Sequence, residues 1–507
     1  MKEVICVKRS LIEKKTRSRR LKSCPELTIL NIGWGASLLI GLLILNGLRG
    51  KESADGGLGL IAFATLYFIA AIINFIMAVL SRTSVLKGEG IPAACRKLGY
   101  VALPFALTGN IFSAISGFAV VKEKKSVEYN LGYYALLNNL TAFLVSALNL
   151  FKDELADMFF LGMGLLGLSL VFYAIALLTV EKALENGRYE RLKPLAIILM
   201  VFGLTGNLFS FLLGLVIVTK IRHRNDQRTV EWIDMIRRIF RNYMAVMGFF
   251  VISLLLTLAV CSYLTFNYQY AISNDYSNLL QVPSLKYPFG TDNVGLCVFT
   301  RIVFGTRISL IIGIAATAVP VVIGGLLGAA AGYYSERLDN GIMRVLDILY
   351  AVPSTLLTIA IVAAFGANTL NLIIALSISN IPIYARTMRA QVMTITNSEF
   401  VEASRACGRR EHEILLKHVI PNSVAQVIVR ASISIGIAVL STSSLSYLGL
   451  GVEPHIPEWG NILKVGSPYL ETNPYLAIYP GLFIVILVMA FNFLGDGLLD
   501  SLDPKLK

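Results

Sequence analysis

Residues 399–422 read EFVEASRACGRREHEILLKHVIPN, a polar, charged and helix-forming run between two stretches of nearly pure hydrocarbon. Ser398 stands where it can cap a helix starting at Glu399, and Glu399 and Glu402 suit the positive end of a helix dipole. Phe400, Ala403 and Cys407 fall at i, i+3 and i+7, which predicts one apolar face. Gly408 ends that helix, because glycine accepts a left-handed conformation. The spacing predicts a second helix over Arg409–Ile420, with Ile414, Leu415, His418 and Val419 on one side and Pro421 stopping it. Two short helices meeting at a glycine corner suit either an amphipathic pair lying on a membrane or a docking element for a partner.

The surroundings define the class. The 507-residue chain is 55% hydrophobic and 15% charged, whereas a soluble domain carries about 25% charged residues. Twelve apolar runs predict an all-α polytopic membrane protein with about twelve transmembrane helices. They are Ile29–Leu48, Leu58–Leu80, Tyr100–Val121, Tyr133–Phe151, Met158–Val180 and Pro194–Thr219, then Met244–Phe266, Ser309–Ala331, Val345–Phe365, Leu370–Tyr384, Val424–Leu440 and Ala477–Leu494. The first run is span-length and lacks a small-residue cleavage site, so it reads as a retained anchor. The 45 Lys and Arg against 32 Asp and Glu fit cytoplasmic segments of a membrane protein and need no nucleic-acid partner. The six cysteines form no CxxC pair, so neither a zinc site nor a disulfide framework follows.

These runs divide into a basic cytoplasmic tail (1–28), a six-span extension (29–219), a basic cytoplasmic linker (220–242) and a second membrane domain (243–507). The extension contains a repeat. LTGNIFSAISGFAVV starts at Leu107 and LTGNLFSFLLGLVIV at Leu204, 97 residues later. Each copy closes a group of three apolar runs, so the half reads as a duplicated three-helix unit, about 29–122 and 133–219. Three spans per copy would set the copies in opposite orientations. The small residues of the motif fit close helix packing better than a binding site. With both termini cytoplasmic, this arrangement puts KEKKSVEYN (122–130) and EKALENGRYERLK (181–193) outside and the acidic KDELAD (152–157) inside, against the usual charge bias.

Chemistry of its own is not to be seen. There is no GxxxxGK[ST] phosphate loop and no GxSxG elbow. His412 and His418 lie in HExxxxH spacing, wrong for a zinc hydrolase, and read as surface histidines. The apolar runs lack mid-span carboxylates of the kind ion-driven carriers use. Arg344, Asp347 and Arg430 fall near span ends. No catalytic residue, metal ligand or bound cofactor is expected.

Glu402, Ala403, Ser404, Gly408, Ile420 and Pro421 resemble the EAA signature of ABC importer permeases, with Ser404 in place of the usual second alanine. The resemblance covers about residues 239–507. YPFGTDNVG (287–295), with Phe289, Gly290, Thr291, Asp292 and Gly295, is similar to the extracytoplasmic motif of dipeptide/oligopeptide/nickel-type permeases. VLDILYAVPSTLL (345–357), SLSYLGLGVEPHIPEWGNIL (444–463) and FNFLGDGLLDSLDPKLK (491–507) match the same family in order. Two positions depart from it: Leu296-Cys297 where Arg-Asp is usual, and Thr442 where an acidic residue is common. The resemblance implies a C-type permease subunit with a six-span type I importer fold in a bacterial inner membrane. It would work with a second permease, two ATPase subunits that bind ATP and Mg, an extracytoplasmic solute-binding protein and membrane lipid. Its solute would be a di- or oligopeptide, or else nickel or another small solute. Pro353 and Pro382 then read as kinks beside a cavity, and GGLLGAAAG (324–332) as a close-packing stripe. The extension reads either as a self-contained carrier or channel, or as a regulatory or assembly module.

Overall fold

The computed structural model describes residues 24–48, 54–87, 90–121, 126–185, 189–222 and 227–502. The basic tail up to residue 23 and the last five residues of the C-terminal motif lie outside the described residues. In chain order the helices are α1 (Pro25–Leu48), α2 (Ala54–Lys87), α3 (Ala93–Ala102), α4 (Ile111–Val121), α5 (Val127–Ala147), α6 (Phe159–Glu185), α7 (Lys193–Gly203) and α8 (Leu208–Arg222). There follow α9 (Gln227–Ile239), α10 (Tyr243–Thr265), α11 (Gln269–Ile272), α12 (Val298–Tyr333), α13 (Glu336–Ala351), α14 (Ser354–Phe365) and α15 (Thr369–Thr396). The last are α16 (Glu399–Ala406), α17 (Glu411–Ile414), α18 (Ile420–Leu448), α19 (Trp459–Gly466) and α20 (Tyr475–Leu502). The protein is an all-α multi-pass membrane protein, and the one sheet-like feature among the described residues is an isolated bridge between Thr291 and Cys297.

Seven described helices are long and apolar enough to cross a bilayer, and α13 with α14, bent by 83°, makes an eighth. Pro353 sits at that bend as the residue before α14. Pro382, by contrast, lies within an unbroken α15. The helices α1 and α15, at 24 and 28 residues, also reach span length.

The runs Tyr100–Val121 and Pro194–Thr219 are not single spans. Each breaks at Gly-Asn and folds back as a helical hairpin. Gly109 and Gly206 have left-handed φ values of 78° and 94°, open to glycine at no steric cost. The next residue caps the following helix: Asn110 Oδ1 accepts from Ser113 N at 3.0 Å, and Asn207 Oδ1 from Ser210 N at 3.3 Å. The same two serines bond across the hairpin, Ser113 Oγ to the Ala102 carbonyl at 3.5 Å and Ser210 Oγ to the Leu199 carbonyl at 2.7 Å. A Cβ on Gly117 would lie 2.6 Å from the Gly99 carbonyl, and one on Gly214 2.6 Å from the Ala196 carbonyl. Residues so far apart in one straight helix would be separated by about 27 Å. The repeated Thr-Gly-Asn-x-Phe-Ser is thus a turn, a cap and a strut. It is the packing reading of the motif, and it leaves each copy with two long helices plus a hairpin.

The described residues pack as two units. One comprises the described residues up to Val145 with Ser169–Leu195, the other Ser146–Leu168 with the described residues from Ala196 onward. In the first, Leu30 of α1, Met77 and Ala78 of α2, Cys95 and Ala102 of α3 and Val120 of α4 form one buried core, and Asn110 donates from Nδ2 to Ser37 Oγ at 2.9 Å.

In the second unit the tip of the α7–α8 hairpin rests on the middle of α10. A Cβ on Gly206 would meet the Leu256 backbone at 2.7 Å, and Leu208 N donates to Ser253 Oγ at 3.1 Å. Further down the arm, Phe209 packs edge-on against Phe249, with ring centroids 4.7 Å apart. The rest of this unit is built around α12. The glycine stripe read from the sequence packs against α15: Cβ atoms on Gly324 and Gly332 would lie 2.6 and 2.8 Å from the carbonyls of Ile381 and Arg389, and Gly328 faces the Ala385 carbonyl between them. These pairs advance together along both chains, so α12 and α15 run parallel. The chain between them, α13 and α14, must therefore cross back.

Candidate functional site

The polar run of 399–422 forms the predicted corner, with two corrections. Gly408 turns it in the left-handed region, φ 78°, and Cys407 N and Gly408 N bond back to the Ala403 and Arg405 carbonyls. The buried anchor of α16 is Val401, at 0% exposure, not the expected face. Phe400, Ala403 and Cys407 are exposed, because the neighbouring core is reached only from the Val401 side. Ser398 occupies the N-cap position without a side-chain cap bond.

Pro421 does not stop the second helix. The chain runs as one helical segment over Glu411–Leu448. A π-helical turn at Leu415–Val419 widens the ladder so that Ile420 N bonds to the Leu415 carbonyl. Pro421 comes directly after that wide turn, so its missing N–H falls where the regular ladder is already interrupted. Ile414, Leu415 and Val419 are buried as read, whereas His418 is half-buried and meets Arg409 NH1 at 2.7 Å.

Residues the sequence did not single out hold this corner. Arg405 Nε donates to Glu411 Oε1 at 3.0 Å across the turn. The Tyr333 hydroxyl donates to Glu411, and the Arg405 guanidinium lies 5.8 Å from the Tyr333 ring. Both corner helices are therefore latched to the end of α12. Val401, Ile414, Leu415 and Val419 join Tyr333, Tyr384 and Met388 in one core. Two further ion pairs bind α13 to α15: Asp339 with Arg389 Nε at 2.6 Å, and Asp347 with Arg386 NH2 at 2.6 Å. The only sequence signal for the latch was opposite charge on either side of Gly408.

Of the residues read as a docking signature, Glu402, Ala403, Gly408 and Pro421 are exposed, and Ser404 and Ile420 are half-buried. Ser404 spends its hydroxyl on the Phe400 carbonyl at 2.7 Å.

The second predicted group, Phe289 to Gly295, lies at the other end of α12, about 50 Å away along the helix. Its side chains build a loop. Thr291 Oγ1 accepts from Gln281 N at 2.8 Å and donates to the Asn278 carbonyl at 2.6 Å. Asp292, 2% exposed, accepts from Val294 N, Leu296 N and Arg301 NH1, the last at 2.6 Å. Phe289 stacks on Tyr479 with centroids 4.2 Å apart. Gly290 and Gly295 have φ of 77° and 82°. Leu296 and Cys297, where the chain departs from the family pattern, are buried, and Cys297 precedes α12 and donates its N–H to the Tyr270 carbonyl at 3.0 Å.

The motif SLSYLGLGVEPHIPEWGNIL contributes a buried carboxylate at the same end. Glu458, at 0% exposure, accepts from Ser443 Oγ at 2.8 Å, Gly460 N at 2.8 Å and Asn461 N at 3.2 Å, capping α19. Burial raises its pKa, and the surrounding donors offset only part of that. Next to it Trp459 Nε1 donates to the Ile302 carbonyl at 3.0 Å.

Among the described residues no group of three or more metal-ligating side chains comes together. The site is thus two structured ends joined by α12, one exposed and polar, one buried and cross-braced.

Residues 324–507 match the family described as the inner membrane component of binding-protein-dependent transport systems, and residues 231–283 match the N-terminal membrane domain of oligopeptide transport permease C. The chain is 40% identical over 284 residues to a dipeptide transport system permease protein of Alkalihalophilus pseudofirmus, spanning 56% of this chain and 93% of the relative. It is 40% identical over the same length to a glutathione transport system permease protein of Pectobacterium atrosepticum, spanning 56% and 94%. A solved chain of the inward-facing MetNI methionine ABC transporter overlays with a TM-score of 0.34 at 19% identity, covering 40% of this chain and 97% of that one. The chain belongs to the family of inner-membrane permeases of binding-protein-dependent ABC importers.

Proposed function

We propose that the chain is the non-catalytic permease subunit of an ATP-driven importer of di- or oligopeptides, a class to which a thiol tripeptide such as glutathione also belongs. The observation that carries the solute class is 40% identity to a dipeptide permease across 93% of that relative. The chain forms the pathway together with a second permease and receives solute from an extracytoplasmic binding protein. Its N- and C-termini face the cytoplasm of a bacterial cell.

Residues 399–422 are the ATPase-docking element. Phe400 and Leu416 are 44% and 57% exposed on an otherwise polar corner, which suits a partner's groove. ATP and Mg are bound by two partner ATPase subunits, whose closure would push on a corner latched to α12 through Glu411 and Tyr333.

Gly408→Pro forces φ from 78° to about −65° and so destroys the corner, while Glu402→Lys reverses an exposed charge beside it. Both variants are expected to insert normally in the membrane and to lose ATPase co-purification and peptide uptake. Full ATPase recovery with either variant would refute the docking assignment.

A further inference from the structure

We propose that residues 146–158, from the N-terminal half of the chain, are an extracytoplasmic anchor that plugs the cap of the permease half with Lys152. This rests on the permease reading above, which places the 267–297 segment outside the cell.

Lys152 follows α5 and is 6% exposed. Its Nζ donates to Thr300 Oγ1 at 2.5 Å, at the first turn of α12. Three rings surround the ammonium: Tyr270 at 4.8 Å, Phe266 at 5.8 Å and Phe299 at 6.0 Å from their centroids. A cation over aromatic faces is attracted by the ring quadrupoles, more strongly when desolvated.

The flanking residues extend the grip. Ser146 Oγ donates to Thr265 Oγ1 at 3.2 Å, and Asn149 Nδ2 to the Thr265 carbonyl at 3.0 Å, at the last residue of α10. Asp153 pairs with Lys286, and Glu154 N donates to the Tyr270 hydroxyl at 3.1 Å. Just beyond, a Cβ on Gly162 would sit 2.8 Å from Leu264 Cβ, so α6 starts in close contact with the end of α10. One short segment thus ties the end of α10, the loop that follows it and the start of α12.

Charge along the chain supports the same placement. With two crossings and one returning hairpin in each copy of the repeat, a cytoplasmic N-terminus puts KDELAD outside. It returns both KEKKSVEYN and EKALENGRYERLK to the cytoplasm, together with the basic linker at 220–242. The Lys and Arg clusters then obey the positive-inside rule throughout. The hairpins remove the conflict that three full spans per copy created, and also the parity argument for an inverted repeat.

The consequence is an assembly role for this part of the extension. The permease cap contains a pocket made by Phe266, Tyr270, Phe299 and Thr300 that the chain fills from its own N-terminal half.

The test uses the full-length protein, with its natural cysteines replaced and a protease site inserted between residues 222 and 227. Ser146→Cys with Thr265→Cys should form a disulfide under mild oxidation in native membranes, so that the cleaved halves migrate together until reduced. Lys152→Glu should slow formation of that disulfide about tenfold or more, because it buries an unpartnered carboxylate. Lys152→Met, which keeps the apolar stem, should slow it less. Failure to cross-link, or a cross-linking rate in Lys152→Glu equal to that of the parent cysteine pair, overturns the anchor. A single Asp157→Cys should react with a membrane-impermeant maleimide from outside the cell. Cross-linking combined with labelling only from the inside would instead overturn the orientation on which the anchor rests.

Discussion

Gly324 and Gly325 are adjacent in α12 and should respond to alanine with opposite signs. A Cβ on Gly324 would stand 2.6 Å from the Ile381 carbonyl of α15, with the Tyr384 Cβ at 3.0 Å and the Ala385 N at 3.1 Å. Ordinary contact begins near 3.4 Å, so the two helices must part by about 0.8 Å. None of the three obstructing atoms is the end of a flexible side chain, so the strain cannot be relieved by a rotamer change. Overpacking of this kind costs about 1–3 kcal/mol, of which alanine's better helix propensity returns about 0.5–1 kcal/mol. A Cβ on Gly325 meets nothing within 4 Å, so Gly325→Ala should stabilise by about 0.5–1 kcal/mol. Equilibrium unfolding in mixed micelles measures both. Helix separation should also reach the corner at 399–422, which hangs from the end of α15, and weaken ATP-dependent uptake in the first variant alone. Equal effects of the two substitutions would refute the close packing of α12 on α15 at Gly324.

Two further outcomes follow from the other end of α12. Asp292→Ala leaves the buried Arg301 guanidinium, 4% exposed, without its carboxylate, and should cost about 3–5 kcal/mol. Adding Arg301→Met should recover part of that loss, and a double-mutant cycle with purely additive effects would contradict the pairing. Glu458 has a folded pKa raised by burial, so folding favours its protonated form. Its contribution is fully present below the unfolded value and is lost as pH rises through the raised folded value. Melting temperatures of the parent should therefore fall over that window more steeply than those of Glu458→Gln. Parallel pH profiles would show that Glu458 does not titrate in this way.

The glycine corner at 408 was legible because left-handed backbone leaves a specific mark in sequence. The permease half was legible because its motifs recur in order. The hairpins were not. Each presents an unbroken apolar run of span length, and hydropathy cannot distinguish one crossing from two half-length arms. The missing information lay in Gly109-Asn110 and Gly206-Asn207, a left-handed residue followed by a cap. Three spans per copy also set KDELAD inside and KEKKSVEYN outside, against the usual charge bias, and that conflict is a second trace in the sequence. Pro421 misled in the other direction, since a π-turn upstream lets a helix pass through a proline that would otherwise end it. Lys152 and Arg301 were invisible for a simpler reason: a buried cation looks in sequence like any surface lysine or arginine until its aromatic or carboxylate neighbours, far away in the chain, are placed beside it.

The passage through Pro421 has a mechanical consequence. Glu411–Leu448 is 38 residues of continuous helical segment, about 57 Å long, with the Glu411 latch at one end and Ser443, bonded to Glu458, near the other. It is a lever arm. A tilt of about 10° about its midpoint would sweep each end through about 5 Å, in opposite directions. The π-turn at Leu415–Val419 lies near the Glu411 end of that rod.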